Sequence, residues 1–288
     1  MSTGILNQLD RLRLHRLRRQ GFEGRHVETS YGPIHLLELE GEGDGPPVIL
    51  LHGLGSCAVD YERLMRGLRH YHRKLIAPDL PGHGFSPTPE GGMDPDDLRE
   101  AMLEMVDQVL CEPSVIFGNS LGGMAAIRFA AARPDLVQAL VLASPGGAPM
   151  PEAELRDFLD SFRLETYKQA LAFADRFLGR PNSFRFPLAW GARARMANPS
   201  IRELLTRVQE QHLLDPSEVV GLSAPIMLFW GVADGVLPAH TRDFFRTHLP
   251  AHTLFLEPEG YGHAPYLDST RGFIEAMQAW LSEHRLAA

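Results

Sequence analysis

The chain has 288 residues, and its content of 44% hydrophobic and 22% charged residues is typical of a folded protein with one large domain, with or without an insertion. A formal net charge of -8 argues against nucleic acid as the main partner. No run approaches the roughly 20 apolar residues of a membrane span, and no apolar segment follows the basic N-terminus as a secretory signal requires.

The cysteines and the glycine-containing loops bear on whether the protein has disulfides, a metal site or a nucleotide-binding site. The two cysteines, Cys57 and Cys111, indicate a reducing compartment without disulfides, so we expect the cytoplasm. No Cys/His cluster has zinc spacing, and no loop has the G-x-x-x-x-G-K-[ST] form that binds nucleotide phosphates. We therefore expect no metal and no cofactor.

Residues 1–24 are predicted to contain a basic amphipathic helix. Leucines recur at roughly helical spacing from residue 4 to residue 20, interleaved with arginines. Such a helix can pack across the domain or lie on an anionic membrane surface. We favour packing, because the apolar face is narrow.

Residues 25–146 and 223–288 are predicted to form an α/β core. Apolar strand-like runs alternate with amphipathic helices, a pattern typical of a mostly parallel sheet with helices on both faces. One helix has an unambiguous start, since Asp94 is a suitable N-cap and Pro95 suits the first helical position. The main predicted elements are a hairpin of Arg25–Ser30 and Pro33–Glu40, strands Val48–Leu51, Lys74–Pro78, Ser114–Phe117, Ala139–Ala143, Pro225–Trp230 and Thr253–Glu257, and helices Tyr61–Tyr71, Pro95–Leu110, Pro238–His248 and Leu267–His284.

The alternation stops between residues 147 and 222, which we interpret as a helical cap over the strand ends. This region contains no convincing buried strand. Helices are predicted near Glu152–Phe162, Glu165–Leu178, Leu188–Ala197 and Ser200–Leu214. The cap is rich in arginine, and these side chains either form a solvated face or attract an anionic substrate.

The most informative motif is Gly118-Asn119-Ser120-Leu121-Gly122, a G-x-S-x-G sequence between a predicted strand and an Ala-rich helix. A serine lifted out of the sheet on a strained turn tolerates almost no neighbouring side chain, which explains the glycines. The first helical turn directs free N–H groups at the same space, so the Leu121 N–H is a candidate oxyanion donor. Gly53 and Gly55 after strand Val48–Leu51 give the Leu54 N–H the same potential role.

A serine nucleophile needs a base and a group that orients the base. We predict His263, in a Gly- and Pro-containing loop, as the base and Asp234, after a strong apolar strand, as the orienting acid. Asp215 and Glu257 are the rival acids. We prefer Asp234 because Gly235 keeps its turn flexible, whereas Asp215 precedes Pro216 as a turn residue does. His52 is interpreted as an orienting or core histidine, and His83 as structural. Cys57 is a candidate pocket residue with no sign of reactivity.

Over residues 25–285 the chain resembles the α/β-hydrolase superfamily, because its motifs follow one another in the same order as in that superfamily. The matching residues are His52-Gly53, Asp79, Gly82, Gly84 and Ser86, the segment Gly118 to Gly122, Trp230-Gly231 with Asp234 and Pro238, and Gly262-His263. The resemblance implies an eight-stranded, mostly parallel sheet with a helical cap after the sixth strand, at about Gly146 to Leu222. Serine at position 120 distinguishes the chain from the haloalkane dehalogenase and epoxide hydrolase branches, which use aspartate there.

The expected activity is hydrolysis of an ester or related acyl bond in a small, partly hydrophobic substrate through an acyl-enzyme. The alternative is carbon–carbon bond hydrolysis of a vinylogous diketone, because the serine motif and Ser144-Pro145-Gly146-Gly147 look like those of meta-cleavage hydrolases. In that case Arg185, with Trp190 nearby, is the candidate for binding the acidic end of the substrate. The more remote alternative is a non-catalytic small-molecule receptor on the same fold.

Overall fold

The computed structural model describes residues 2–284, so Met1 of the predicted N-terminal segment and residues 285–288 of the predicted core lie outside it. Within the described residues, eight strands form one sheet in the order β1-β2-β4-β3-β5-β6-β7-β8. Strand β2 runs antiparallel to both of its neighbours, and the other pairs are parallel. The prediction of an eight-stranded, mostly parallel sheet is confirmed. The strands are β1 (Phe22–Thr29), β2 (Gly32–Glu40), β3 (Val48–Leu51), β4 (Lys74–Pro78), β5 (Ser114–Ser120), β6 (Val137–Pro145), β7 (Ile226–Phe229) and β8 (Leu254–Leu256).

Helices flank the sheet on both faces because the central strands are apolar on both sides. In β3, Ile49 and Leu51 belong to one buried cluster while Val48 and Leu50 belong to the cluster on the opposite face. The helices are α1 (Ser2–Arg18), α2 (Glu62–Leu68), α3 (Pro95–Val109), α4 (Leu121–Ala132), α5 (Glu152–Asp160), α6 (Tyr167–Phe177), α7 (Arg185–Met196), α8 (Pro199–Arg207), α9 (Pro216–Val220), α10 (Ala239–His248), α11 (Pro265–Asp268) and α12 (Thr270–Glu283).

The predicted N-terminal helix is present, and it packs across the domain. Helix α1 lies against β1 and the cap helix α7, and it buries Leu6, Leu14 and Leu17. It ends at Arg18, and Phe22 already begins β1, so the last residues of the segment assigned to it belong to the sheet. The outer face leaves Leu12 exposed, so membrane contact through that face stays a prediction. No helix within residues 2–284 combines the length and the apolar character needed to cross a bilayer.

The cap consists mainly of α5, α6, α7 and α8, inserted between β6 and β7, and it has an apolar cluster of its own. Helix α8 of the cap is shorter than the sequence pattern indicates, since that pattern predicts a helix over Ser200–Leu214. The stretch Ser200–Leu214 leaves the α-helix at Val208, where the Arg156 guanidinium binds the main-chain carbonyl, and a separate turn follows at Glu210–His212. Likewise, the predicted final helix is divided at Ser269, whose hydroxyl caps α12 by accepting from the Gly272 N–H.

Candidate active site

Ser120 lies on the sharp turn between β5 and α4. Its φ of 56° is positive, a strained conformation for a residue with a side chain. The flanking glycines permit the turn: a Cβ on Gly118 would overlap the Gly122 carbonyl, and a Cβ on Gly122 would overlap the carbonyl of Leu51. A Cβ on Gly123 would lie 2.7 Å from that of Pro145. A side chain is therefore sterically excluded at each of these three positions, as the G-x-S-x-G spacing predicts for the turn.

Asp234 and His263 are hydrogen-bonded to each other. His263 Nδ1 lies 2.9 Å from Asp234 Oδ2, and Asp234 Oδ1 accepts from the Val236 N–H at 2.9 Å. Burial opposes ionisation of Asp234, but His263 and the Val236 N–H outweigh it and lower the pKa of this carboxyl below its ordinary value. An ionised Asp234 accepts from Nδ1–H, so in the neutral imidazole the proton sits on Nδ1 and the lone pair on Nε2.

The loop that carries His263 is tied to the strand that ends in Ser120. The Asn119 side-chain amide donates to the His263 carbonyl at 2.9 Å and to the Ala143 carbonyl at 2.8 Å. Within residues 2–284, Ser120 Oγ and the His263 ring form no direct hydrogen bond with each other. Bonds of this kind commonly tighten only when a substrate is bound.

The turn after β3 adjoins the same serine. A Cβ on Gly53 would lie 3.1 Å from Ser120 Cβ, so the main chain just before Leu54 passes close to Ser120. In the part of the chain that the structure describes, the Leu54 N–H has no main-chain or side-chain acceptor. Leu121 is the first residue of α4, where helix geometry leaves an N–H without an intrahelical partner.

Two buried histidines near this turn have structural roles, as the sequence indicated. His52 Nε2 accepts from the Leu80 N–H at 3.0 Å, so Nδ1 carries the proton and donates to the Gly53 carbonyl at 2.8 Å. Burial lowers the pKa of His52, which keeps the ring neutral. His83 Nδ1 lies 3.0 Å from the carbonyl of Pro81, and burial together with the neighbouring His52 lowers the pKa of His83 to about 3. The lone pair of His52 Nε2 is engaged by Leu80, and the lowered pKa of His83 makes that ring a weak base.

The model of the alpha/beta hydrolase fold matches residues 46–270 of this chain. The chain belongs to this family. Among curated relatives, a pimeloyl-[acyl-carrier protein] methyl ester esterase of Nitrosomonas europaea is 30% identical over 263 residues, which span 84% of this chain and 98% of the relative.

Solved structures share the fold at lower identity. A bacterial membrane phospholipase A, described as a virulence factor, superimposes with a TM-score of 0.80 at 24% identity, covering 98% of this chain and 94% of its own. The 2-hydroxy-6-oxo-6-phenylhexa-2,4-dienoate hydrolase of Rhodococcus sp. strain RHA1 gives a TM-score of 0.74 at 23% identity, covering 91% and 99%. At these identities the two structures bear on the fold alone.

Most of the remaining candidate residues of this α/β hydrolase are engaged by partners other than Ser120. Asp215 caps α9 by accepting from the Ser217 N–H, and Glu257 forms ion pairs with Arg242 and Arg246, so both rival acids have other partners. Arg185 pairs with Asp175 at 3.1 Å and lies over the Phe186 ring. Trp190 is partly exposed on α7. Among the described residues, neither Arg185 nor Trp190 is hydrogen-bonded to Ser120, and their proposed substrate contacts remain predictions.

Sequence reasoning missed the cap residues that reach the site. The last turn of α6 lies between the acid and histidine loops: the Phe177 carbonyl accepts from the His263 N–H at 2.9 Å, and the Arg176 carbonyl accepts from the Gly235 N–H at 2.9 Å. The Phe177 ring is 5.2 Å from that of His263. Asp268 fastens this segment by accepting from the N–H groups of Gly179 and Gly262. No motif in the sequence marks Phe177; its role depends on the tertiary position of the cap.

Proposed function

We propose that this α/β hydrolase is a serine esterase that cleaves a carboxylic ester, or a related acyl bond, through an acyl-enzyme. The observation that carries the proposal is the hydrogen bond between His263 Nδ1 and Asp234 Oδ2, in a loop that Asn119 ties to the strained turn of Ser120. This arrangement leaves Nε2 as the acceptor for the serine proton. The relative named as a methyl ester esterase supports the same class of bond.

The proposed reaction has two halves. Ser120 Oγ attacks the acyl carbon while His263 Nε2 takes its proton, and Asp234 stabilises the imidazolium that forms. The N–H groups of Leu54 and Leu121 bind the oxyanion, each contributing on the order of 3 kcal/mol to the barrier reduction, as in other acyl-transfer enzymes. His263 then protonates the leaving alcohol, and in the second half it activates a water that releases the acid and frees Ser120.

The surroundings of the site favour a substrate with an apolar part. The apolar cluster of the cap includes Val236 beside Asp234, with Leu54 and Phe177 packed against it. This cluster therefore reaches the acid, the histidine and the proposed oxyanion donor alike. Apolar walls with a few converging polar groups are typical of sites for small hydrophobic molecules. We therefore infer that the acyl chain or the alcohol of the ester is hydrophobic.

Carbon–carbon hydrolysis remains the alternative, and one contact weighs against it. That reaction needs a cation to bind the acidic end of the substrate, and Arg185 is engaged by Asp175 instead. A comparison of initial rates on a ring-fission dienoate and on a short p-nitrophenyl ester separates the two. Faster consumption of the dienoate would favour the alternative.

Labelling with a fluorophosphonate, followed by peptide mass spectrometry, tests the proposal directly. We expect the adduct on Ser120 in the wild type, none in Ser120→Ala, and a loss of labelling in His263→Ala. Ser30→Ala and His70→Ala are the matched controls, because both residues are exposed and far from the site in sequence. A wild type that binds small apolar molecules but is never labelled and turns over no ester would point to a receptor.

A further inference from the structure

Helix α1, cap helix α7 and a short 3-10 turn that follows β3 meet at one group of four charged residues. Asp10 comes from α1, Arg195 from α7, and Asp60 from the short 3-10 turn Ala58–Tyr61; Arg13 of α1 completes the group. Two carboxylates and two guanidiniums balance the charge. Partly buried ion pairs of this kind are costly to break on one side only, because the remaining charge is left unpaired.

Arg195 is the centre of this group. Its Nη1 donates to Asp60 Oδ2 at 2.5 Å and to the Gly55 carbonyl at 3.4 Å. Its Nη2 donates to Asp60 Oδ1 at 3.2 Å and to Asp10 Oδ2 at 3.3 Å. A single guanidinium therefore connects the N-terminal helix, the cap and the segment that carries Leu54. The planar, five-donor head of arginine makes these four hydrogen bonds in fixed directions, whereas the ammonium of lysine has three donors and no fixed plane.

Asp60, which Arg195 binds, is in turn hydrogen-bonded to the segment Gly53–Cys57. We call this segment the oxyanion loop. Asp60 Oδ2 accepts from Ser56 Oγ at 3.0 Å and from the Cys57 N–H at 3.3 Å. Burial opposes ionisation of Asp60, but Arg195 and Arg13 outweigh it and lower the pKa of the carboxyl well below its ordinary value. Asp60 is therefore charged whenever the protein is folded near neutral pH.

Gly55 is the point where the loop is most constrained. Its φ of 71° lies in the left-handed region, and a Cβ there would meet the Met196 side chain, the residue after Arg195. Leu54 thus lies between Gly53, which adjoins Ser120, and Gly55, which is bound by α7. Both neighbours of Leu54 in the chain are therefore constrained by close contacts.

A polar cavity of about 190 Å³ lies beside the group, lined in part by Asp10, Ser56, His83 and Arg195. Its volume is ample for several water molecules. Once the contacts of Arg195 are weakened, the oxyanion loop has space to relax into, and water can replace the lost hydrogen bonds. On the side that faces the cavity, the loop is held by these hydrogen bonds.

We propose that Arg195 is a positioning residue for the oxyanion loop, and that α1 acts on the loop through Asp10. Arg195 touches neither the substrate nor Ser120; it fixes the N–H of Leu54 where the oxyanion forms. This role rests on the proposed function, in which Leu54 is an oxyanion donor. Because one such donor is worth 10²–10³ in kcat, a displaced but not absent Leu54 N–H should cost about tenfold.

The test compares Arg195→Lys with Arg193→Lys, a substitution on the same helix at an exposed arginine whose contact is the Glu165 carbonyl. Fluorophosphonate titration counts the competent sites, so that kcat is expressed per active serine. Each variant is assayed on a p-nitrophenyl ester and on the matching thionoester, whose sulfur is a weaker hydrogen-bond acceptor than oxygen. We expect Arg195→Lys to lower kcat on the ester about tenfold with KM unchanged, and to lower the ester-to-thionoester rate ratio by a similar factor.

Asp10→Asn provides a second variant that keeps the Arg195–Asp60 pair and is assayed in the same way if Arg195→Lys does not fold. We expect a fall in kcat of two- to fivefold, with no further loss when Asp10→Asn is added to Arg195→Lys. Independent, multiplying losses would show that α1 does not act through Arg195.

The outcomes separate this proposal from the proposed function. A wild type with neither labelling nor turnover overturns both. An active wild type whose Arg195→Lys variant keeps its kcat per site and its ester-to-thionoester ratio, even with a lowered melting temperature, overturns the positioning role alone. Arg193→Lys is expected to match the wild type in every measurement.

Discussion

The side-chain amide of Asn119 donates a 2.9 Å hydrogen bond to the main-chain carbonyl of His263, which ties the residue before the proposed nucleophile to the proposed base. The same amide donates to the Ala143 carbonyl, and its oxygen accepts from the Tyr266 hydroxyl at 3.3 Å. Asn119 is buried, so water cannot replace these bonds. The Asn119 amide is therefore a direct hydrogen-bonded link between the serine turn and the histidine loop.

Replacing this amide by a carboxylate should damage both stability and catalysis. In Asn119→Asp an oxygen replaces the nitrogen that faces two carbonyls, so two hydrogen bonds become repulsive contacts. We expect the free energy of unfolding to fall by about 3 kcal/mol and kcat on an ester to fall at least tenfold. Urea unfolding and steady-state kinetics measure the two effects. Asn182→Asp, at an exposed amide that also donates to a carbonyl, is the control; equal effects in the two variants would contradict the prediction.

The sequence predicted the sheet and the starts of several helices because the signals for them are local. Asp94 caps α3 as expected, by accepting from the Asp96 N–H, and strand β3 is buried on both faces as its continuous apolar run indicated. The end of α8 could not be predicted in the same way. Its break at Val208 coincides with a contact to Arg156, which is distant in the sequence.

In the candidate site, too, some features have local sequence signals and others depend on residues that are distant in the sequence. The serine, acid and histidine positions carry motif and chain-order signals, whereas the contacts of the cap with His263 and the Arg195 group depend on tertiary packing. One signal for that group was available. Asp10 shares the buried face of α1 with Leu6, Leu14 and Leu17, and an acid at such a position predicts a buried cationic partner. The identity of that partner, Arg195, is not readable from periodicity.

The proposed role of Asp234 as the orienting acid can be tested by comparing its substitution with those of Asp215 and Glu257. Asp234→Asn keeps the shape but favours the wrong imidazole tautomer, a change that lowers kcat by about 10⁴ in serine proteases. We expect a loss of the same order here. Asp215→Asn and Glu257→Gln should retain kcat within about twofold, since these carboxylates cap α9 and pair with surface arginines. A large loss in either rival with an active Asp234→Asn would reassign the acid.

The buried His83 should make stability depend on pH. Its pKa is lowered from the ordinary value of 6.5 to about 3, so between these pH values the unfolded chain binds one more proton at this position than the folded protein. Stability contributed by neutral His83 is therefore complete above pH 6.5 and is lost as the pH falls towards 3.

His83→Asn keeps an N–H to donate to the Pro81 carbonyl but cannot titrate. We expect the slope of unfolding free energy against pH, between pH 6 and 4, to be shallower than in the wild type by up to about 1.4 kcal/mol per pH unit. Urea titrations across this range measure it. His240→Asn, at a partly exposed position, serves as the control, and an unchanged slope in His83→Asn would show that His83 is not buried in its neutral form.

Asp268 should couple the cap to the histidine loop. Its Oδ1 accepts from the Gly179 N–H at 2.9 Å and its Oδ2 from the Gly262 N–H at 2.8 Å, so one carboxylate holds the segment after α6 and the residue before His263 together. In Asp268→Asn one oxygen becomes an NH₂ group that opposes an N–H donor. We expect kcat and the rate of fluorophosphonate labelling to fall together, by about tenfold, because both reactions need a correctly placed His263. The exposed Asp135→Asn is the control. If labelling stays fast while only KM rises, Asp268 holds the cap but does not position the base, and the placement of His263 must then depend on its bonds with Asp234, Asn119 and the Phe177 carbonyl.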